Sequence, residues 1–129
     1  MAAPERPATI VIADDDDLVR AVLRMALAGP ATTIREAADS VALVAALEHG
    51  VVDLVILDIS IPGPGLGDNV AAIHDTHPGA RILVLSGDAS FPAEFADSIN
   101  DFARKPIDLS ELRDRVGHLL AATRTTESP

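Results

Sequence analysis

Two short runs of consecutive aliphatic residues constrain the fold of this chain more than any other feature of its sequence. Leu54–Leu57 reads Leu-Val-Ile-Leu and Ile82–Leu85 reads Ile-Leu-Val-Leu, without the alternating polar residues of a strand that has one face in water. Such runs are typical of central parallel strands that are covered on both faces. They belong to a series of five short candidate strands: Thr9–Ala13, Thr32–Ala37, Asp53–Asp58, Arg81–Ser86 and Asp101–Arg104.

Longer segments with helical periodicity separate these strands. The predicted helices run from Asp16 or Asp17 to Ala28, over about Ser40–His49, over about Asp68–Thr76, over about Phe91–Ser98, and from an N-cap at Asp108 onward. A strand followed by a helix, five times over, predicts an α/β fold: a doubly wound, five-stranded parallel sheet with helices on both faces. We expect one domain over residues 8–123, with short tails at 1–7 and 124–129.

Composition narrows the class of protein. A chain of 129 residues with 48% hydrophobic residues but only three Phe, and no Trp or Tyr, predicts one domain with an aliphatic core. The absence of Cys excludes disulfides, thiol catalysis and Cys-based zinc sites. With neither a signal-peptide pattern nor a bilayer-length apolar run, we expect a cytoplasmic protein that does not bind membranes. The net charge of −10 argues against direct binding of nucleic acid.

Reactive side chains fall where the predicted strands end. Asp14 and Asp15 follow the first strand, Asp58 ends the third, Ser86 ends the fourth and Lys105 follows the fifth. Because ligands of such sheets bind at the carboxyl ends of the strands, these groups are expected to converge on one rim. Three neighbouring carboxylates oppose mutual ionisation, and a hard cation relieves that repulsion; Mg²⁺ suits oxygen ligands of this kind.

This set of groups predicts phosphoryl chemistry. Asp58 can act as a nucleophile on phosphorus and form an acyl phosphate. The Lys105 ammonium would stabilise charge on the transferring group, and the Ser86 hydroxyl could donate a hydrogen bond to a phosphoryl oxygen.

Four segments, in one order along nearly the whole chain, resemble the CheY-like receiver domains of response regulators in two-component systems: Ile10–Arg20, Leu57–Gly63, Leu85–Gly87 and Phe102–Pro106. The resemblance implies that Asp58 accepts phosphate from a histidine kinase. It also implies that Asp15 ligates Mg²⁺ directly, Asp14 largely through water, and that the Ser60 backbone carbonyl faces the metal. Ser86 and Lys105 would contact the phosphoryl group. Phe102 would occupy the aromatic switch position, turning inward when Ser86 moves toward the phosphoryl oxygens.

The sequence departs from the family pattern in two places. Pro62–Gly67 carries one extra residue, and Asn100-Asp101 replaces the usual Gly-Ala before the switch aromatic. The stretch from Ser86 to Lys105 is also short, so residues are missing from the fourth helix or from its flanking loops, and the output surface need not be the usual one. In that region Phe91, Phe95 and Ile99 are candidate anchors for a partner.

Two further motifs are better explained by local structure than by ligand binding. The glycines of Gly63–Gly67 predict flexible turns rather than a phosphate-binding loop, because no Lys-Ser or Lys-Thr follows. His74 and His77 have the spacing of metal ligands on a helix, but a solvated helix end accounts for them better.

The resemblance predicts a signalling switch rather than an enzyme. The chain would be either a single-domain regulator or a receiver excised from a longer protein. Its partners would be a sensor histidine kinase or phosphotransfer protein and an unidentified downstream protein. One alternative is an aspartyl-phosphate phosphatase or phosphotransferase, although Ser60 stands where such enzymes carry an acid two residues after the nucleophile. Another is a receiver-like interaction module that is never phosphorylated.

Overall fold

The computed structural model describes residues 6–87 and 93–127, with side chains as far as residue 122. Its strands are β1 (Ala8–Ala13), β2 (Thr32–Ala37), β3 (Leu54–Asp58), β4 (Arg81–Ser86) and β5 (Asp101–Arg104). Its helices are α1 (Asp17–Leu27), α2 (Ser40–Leu47), α3 (Leu66–Thr76), the 3₁₀ helix η1 (Ala93–Ser98) and α4 (Leu109–Glu127). The strands form one parallel sheet in the order β2-β1-β3-β4-β5. The predicted fold class is confirmed.

The core consists of two aliphatic layers, one on each face of the sheet. Successive residues of a strand point to opposite faces. On β3, Val55 and Leu57 therefore join the layer under α2 and α3, while Leu54 and Ile56 join the layer under α1 and α4. All four side chains are buried. This double burial explains why the central strands contain no alternating polar residues.

The helix boundaries differ from the prediction at several points. α2 ends at Leu47, two residues early, before Gly50 with its positive φ of 103°. α3 begins two residues early, at the buried Leu66. α4 continues through Glu127, into the segment predicted as a tail, because no Gly or Pro interrupts residues 118–127. The cap of α1 is confirmed at Asp16, whose side chain accepts hydrogen bonds from Leu18 N and Val19 N.

The fourth predicted helix is a short 3₁₀ helix in the structure. Only the six-residue 3₁₀ helix η1 stands at that position in the described part of the chain. Phe91, predicted to belong to it, lies outside the described residues. Phe95 and Ile99 pack against the layer under α2 and α3, so they are half-buried.

The loop after β3 packs closely on the start of α2. Gly63 has a φ of 144°, and a Cβ added there would lie 2.1 Å from Ser40 Oγ. Ser40 N donates to Pro62 O at 2.9 Å, which holds the two segments together. Only glycine fits this position without displacing the neighbouring helix.

Within the described residues, the longest helices carry too much polarity to cross a lipid bilayer.

Candidate functional site at the carboxyl end of the sheet

Strand register brings the predicted site residues to one rim. Ala13 pairs with Leu57, which sets Asp14 beside Asp58, and Asp58 in turn pairs with Leu85, next to Ser86. Two backbone hydrogen bonds extend the sheet past its last paired residues. Asp14 N donates to Ala37 O at 2.9 Å, and Lys105 N donates to Ser86 O at 2.8 Å. The rim is therefore fixed by main-chain geometry.

Three carboxylates form the centre of this rim. Asp14, Asp15 and Asp58 each offer an oxygen within 4.8 Å of the others. Asp14 is 1% exposed and Asp58 is 3% exposed, whereas Asp15 is open to solvent. This donor set fits Mg²⁺, which takes oxygen ligands, neutralises clustered carboxylates and retains several waters on its open side.

Lys105 places a cation against two of these carboxylates. Its Nζ lies 2.6 Å from Asp14 Oδ2 and 3.4 Å from Asp58 Oδ2. Burial is the largest single influence on the Lys105 pKa and lowers it. The hydrogen bond to Asp14 and the charges of Asp58 and Asp14 together outweigh burial, so the pKa is raised. The lysine is thus held in its charged form by the acidic groups around it.

The surroundings of Asp58 disfavour the charged form of its carboxyl group. Burial raises its pKa, and the charge of Asp14 adds to that effect, while Lys105 and the Ser60 N–H oppose it. Ser60 Oγ also lies 3.2 Å and 3.3 Å from the two Asp58 carboxylate oxygens. The sequence predicts a role for the Ser60 carbonyl only. The hydroxyl contact was not predicted, because it depends on the geometry of the turn after β3.

Ser86 and Phe102 occupy the strands next to this centre. Ser86 is fully buried at the end of β4. Phe102 pairs with Val84 across β4 and β5 and is half-buried against the layer under α2 and α3, together with Phe95 and Ile99. Five of the predicted site residues thus lie within short side-chain distances of one another: Asp14, Asp15, Asp58, Ser60 and Lys105. The structure places Ser86 and Phe102 by strand register.

His74 and His77 are half-buried, and among the described residues neither belongs to a cluster of possible metal ligands. His74 Nε2 lies 2.7 Å from Ser98 O, at the end of η1, and His77 Nε2 lies 2.7 Å from Leu47 O, at the end of α2. Because a carbonyl only accepts, each Nε2 carries the proton and donates. The solvated-end interpretation of these residues was wrong: their partners lie on other elements, which helical spacing cannot reveal.

An apolar groove of about 420 Å³ opens beside the rim, lined by α1 and the segment after β5. Leu18 and Val22 of α1 line this groove, as do Lys105 and Pro106, which are joined by a cis peptide bond. Leu18 is 72% exposed. A mostly apolar surface of this kind, next to the acidic cluster, is a suitable contact for a protein partner.

Comparison with known proteins agrees with this arrangement. Residues 10–117 match the family model of the response regulator receiver domain. The DNA-binding transcriptional regulator NtrC of Rhizobium meliloti (strain 1021) is 32% identical over 117 residues, which are 88% of this chain and 24% of that protein. The chain therefore spans about a quarter of the length of this relative.

Solved structures show the same fold. The signal receiver domain of an HD domain-containing protein from Pseudomonas fluorescens Pf-5 has a TM-score of 0.86 at 22% identity and covers 98% of this chain and 96% of its own. A CheY-like response regulator receiver domain protein from Methanospirillum hungatei JF-1 has a TM-score of 0.85 at 20% identity, covering 93% and 98%. At these identities the likeness is one of fold.

Proposed function

This chain belongs to the response regulator receiver domain family, which acts in phosphorylation-dependent two-component signalling, and from that premise we propose that Asp58 is its phosphoacceptor. The observation that carries this assignment is the position of Asp58: it ends the central strand β3, beside two further carboxylates and within 3.4 Å of a lysine ammonium. Members of the family generally work as switches rather than as enzymes.

Asp14, Asp15 and Asp58 would hold Mg²⁺, together with the backbone carbonyl of Ser60. When bound, the ion neutralises the carboxylate cluster and the charge that develops on a transferring phosphoryl group. Three carboxylate oxygens within 4.8 Å, one of them on a solvent-exposed residue, support this assignment.

The transfer itself follows from the chain's own groups. A carboxylate oxygen of Asp58 attacks the phosphorus of a phosphohistidine, a new O–P bond forms, and the P–N bond breaks as the imidazole leaves. Lys105, already paired with both Asp14 and Asp58, supplies positive charge to the phosphoryl oxygens. Ser86, at the end of the neighbouring strand, supplies a hydroxyl donor.

The donor is a sensor histidine kinase or a phosphotransfer protein. Such a partner must bring its phosphohistidine over Asp58, and the apolar groove at Leu18, Val22 and Pro106 adjoins that position. Phosphorylation adds about −1.5 to −2 charges and three acceptor oxygens at Asp58. Ser86 would move toward these oxygens and Phe102 would turn inward, which changes the surface formed by η1, β5 and α4 for a downstream protein.

Acetyl phosphate, a small phosphoryl donor, tests the assignment directly. Intact-mass spectrometry is expected to show one added phosphoryl group in MgCl₂ and none in EDTA, and the modification is expected to be labile in alkali. Asp58→Asn should abolish it. Asp114→Asn, which makes the same substitution on the exposed face of α4, should leave it unchanged. Phosphate retained by Asp58→Asn, or an alkali-stable phosphate on Ser or Thr, would refute the proposal.

A further inference from the structure

Arg20 of α1 holds three acceptors around the turn that carries the acidic cluster. Its Nη1 donates to the backbone carbonyl of Asp14 at 2.7 Å, and its Nη2 donates to the Asp17 carboxylate. Its Nε donates to Glu36 Oε1 on β2 at 3.2 Å. The side chain is 14% exposed. One guanidinium thus ties together the end of β1, the first turn of α1 and the neighbouring strand.

The remaining polar groups of Asp14 are also engaged. Its N–H donates to Ala37 O, its Oδ1 accepts from Asp16 N at 2.9 Å, and its Oδ2 accepts from Lys105. With the carbonyl bound to Arg20, each polar atom of Asp14 has a partner. The residue is therefore fixed by its main chain as well as by its carboxylate.

Asp15 depends on this arrangement, because the carbonyl that Arg20 holds belongs to the peptide joining Asp14 to Asp15. That peptide is planar, so fixing its oxygen also fixes the Asp15 amide and the position of the Asp15 Cα, from which the side chain leaves. Asp15 is exposed, and its carboxylate receives no hydrogen bond or ion pair from the described residues. The position of Asp15 beside the cluster therefore depends on the backbone that Arg20 holds.

We propose that Arg20 is a positioning residue for the divalent-cation site: it holds the Asp14–Asp15 peptide so that both carboxylates stay within reach of Asp58. The inference rests on the proposed function, since it assigns Arg20 a role in that same site. The hydrogen bond to Asp17 raises the Arg20 pKa further, so the guanidinium stays charged at every relevant pH.

The charge of Arg20 and its positioning role predict opposite effects of its removal on the affinity for Mg²⁺. A guanidinium near a cation site repels Mg²⁺, so removal of its charge alone would tighten binding. Loss of a group that orients the ligands typically weakens metal binding about 10–100-fold. The direction of the change in affinity therefore separates positioning from simple electrostatics.

Arg24 is a matched control on the same helix. It lies one turn further along α1, is 50% exposed, and donates to Glu36 Oε2 at 3.0 Å. Like Arg20, it donates to Glu36 and carries one positive charge. Among the described residues it makes no hydrogen bond to Asp14. Arg24→Ala thus lowers the positive charge of α1 equally without touching the metal-binding turn.

The test is an NMR chemical-shift titration of the full chain with MgCl₂ at constant ionic strength, for wild type, Arg20→Ala, Arg20→Lys and Arg24→Ala. Circular dichroism confirms that each variant is folded. Arg20→Ala is expected to weaken Mg²⁺ binding about tenfold or more, and Arg24→Ala to leave it unchanged or slightly tighter. Arg20→Lys should restore only part of the affinity, because a single ammonium cannot reach all three acceptors. If Arg20→Ala does not fold, weaker binding by the lysine variant alone supports the proposal.

A second readout needs no metal. Amide exchange of Asp16, whose N–H donates to Asp14 Oδ1, should accelerate in metal-free Arg20→Ala and not in Arg24→Ala. Equal or tighter Mg²⁺ binding by Arg20→Ala, or equal weakening by Arg24→Ala, would overturn the positioning role and leave the proposed function intact. Failure of wild type itself to bind Mg²⁺ would overturn both.

Discussion

At the scale of single residues, Asp58 combines a buried position with a charge that burial disfavours. Its pKa is raised chiefly by burial, and Lys105 and Ser60 offset only part of that effect. The folded protein therefore retains the Asp58 proton to a higher pH than the unfolded chain does. The linked stability is present below the ordinary aspartate pKa and is lost as the pH rises from that value through the raised pKa.

Because the folded protein disfavours the Asp58 charge, we expect Asp58→Asn to stabilise the metal-free protein at neutral pH, by about 0.5–2 kcal/mol. The amide removes a like charge beside Asp14, while Lys105 keeps its 2.6 Å bond to Asp14. Urea unfolding in EDTA at pH 5 and pH 8 measures the effect, which should be larger at pH 8. Asp114→Asn controls for the change in net charge. A destabilised Asp58→Asn protein would show that Lys105 already compensates Asp58 fully.

The grouping of the candidate site residues was predictable from the sequence because each stands at the end of a predicted strand. The carboxylates and the lysine are thus placed by main-chain topology, which periodicity can predict. Arg20 and the Ser60 hydroxyl were not found in this way. Their roles depend on where side chains reach across elements, and neither residue type nor spacing predicts those directions.

At the scale of elements, the loop after β3 joins Asp58 to two helices. Gly63 approaches Ser40 at the start of α2, and Gly67, in the first turn of α3, faces the ring of Phe95 on η1. His74 adds its hydrogen bond from α3 to the end of η1. The loop in which an extra residue is predicted is exposed at residues 62–64 and contacts α2 through Gly63.

We expect Gly63→Ala to destabilise the protein by about 2 kcal/mol or more. The new Cβ would clash with Ser40, and a positive φ of 144° is strained for alanine. Gly117→Ala is the matched control: it lies within α4 with no atom near the new Cβ, and it should stabilise by about 0.5–1 kcal/mol. Urea denaturation measures both variants. Equal effects would show that the loop moves freely away from α2.

The strands were easier to predict from the sequence than the helices. Runs such as Leu54–Leu57 are short, apolar and bounded by polar residues, so their limits are sharp. Helix ends depend instead on local contacts: α3 gains its first turn because Leu66 is buried, and the end of η1 is held by His74 on another helix. Such tertiary contacts cannot be deduced from one segment at a time.

At the scale of the whole molecule, the net negative charge of the chain makes its stability depend on the ionic conditions. With a net charge of −10, added salt of any kind reduces self-repulsion. A bound Mg²⁺ acts differently, because it stabilises only the folded state in which Asp14, Asp15 and Asp58 lie together. The two effects are separable in one set of melting curves.

We expect MgCl₂ to raise the melting temperature beyond NaCl at the same ionic strength. At a concentration of about 100 times Kd the gain is about 2.7 kcal/mol, or roughly 10 °C for a domain of this size. Asp15→Ala should lose the increment specific to Mg²⁺ and keep the response to NaCl, whereas Asp114→Ala should keep both. An undiminished increment in Asp15→Ala would exclude Asp15 as a ligand.

The ion pair between Asp14 and Lys105 joins residues 91 positions apart in the chain. During synthesis, a nascent chain that has emerged only through β4 already contains both buried aspartates of the rim, but it does not yet contain the cation that pairs with them. Its first four strands must wait for the last one before the charges of the rim are matched. The site is thus completed only after β5 and Lys105 have emerged, and a reagent that recognises the paired site would report which nascent chains have folded through β5.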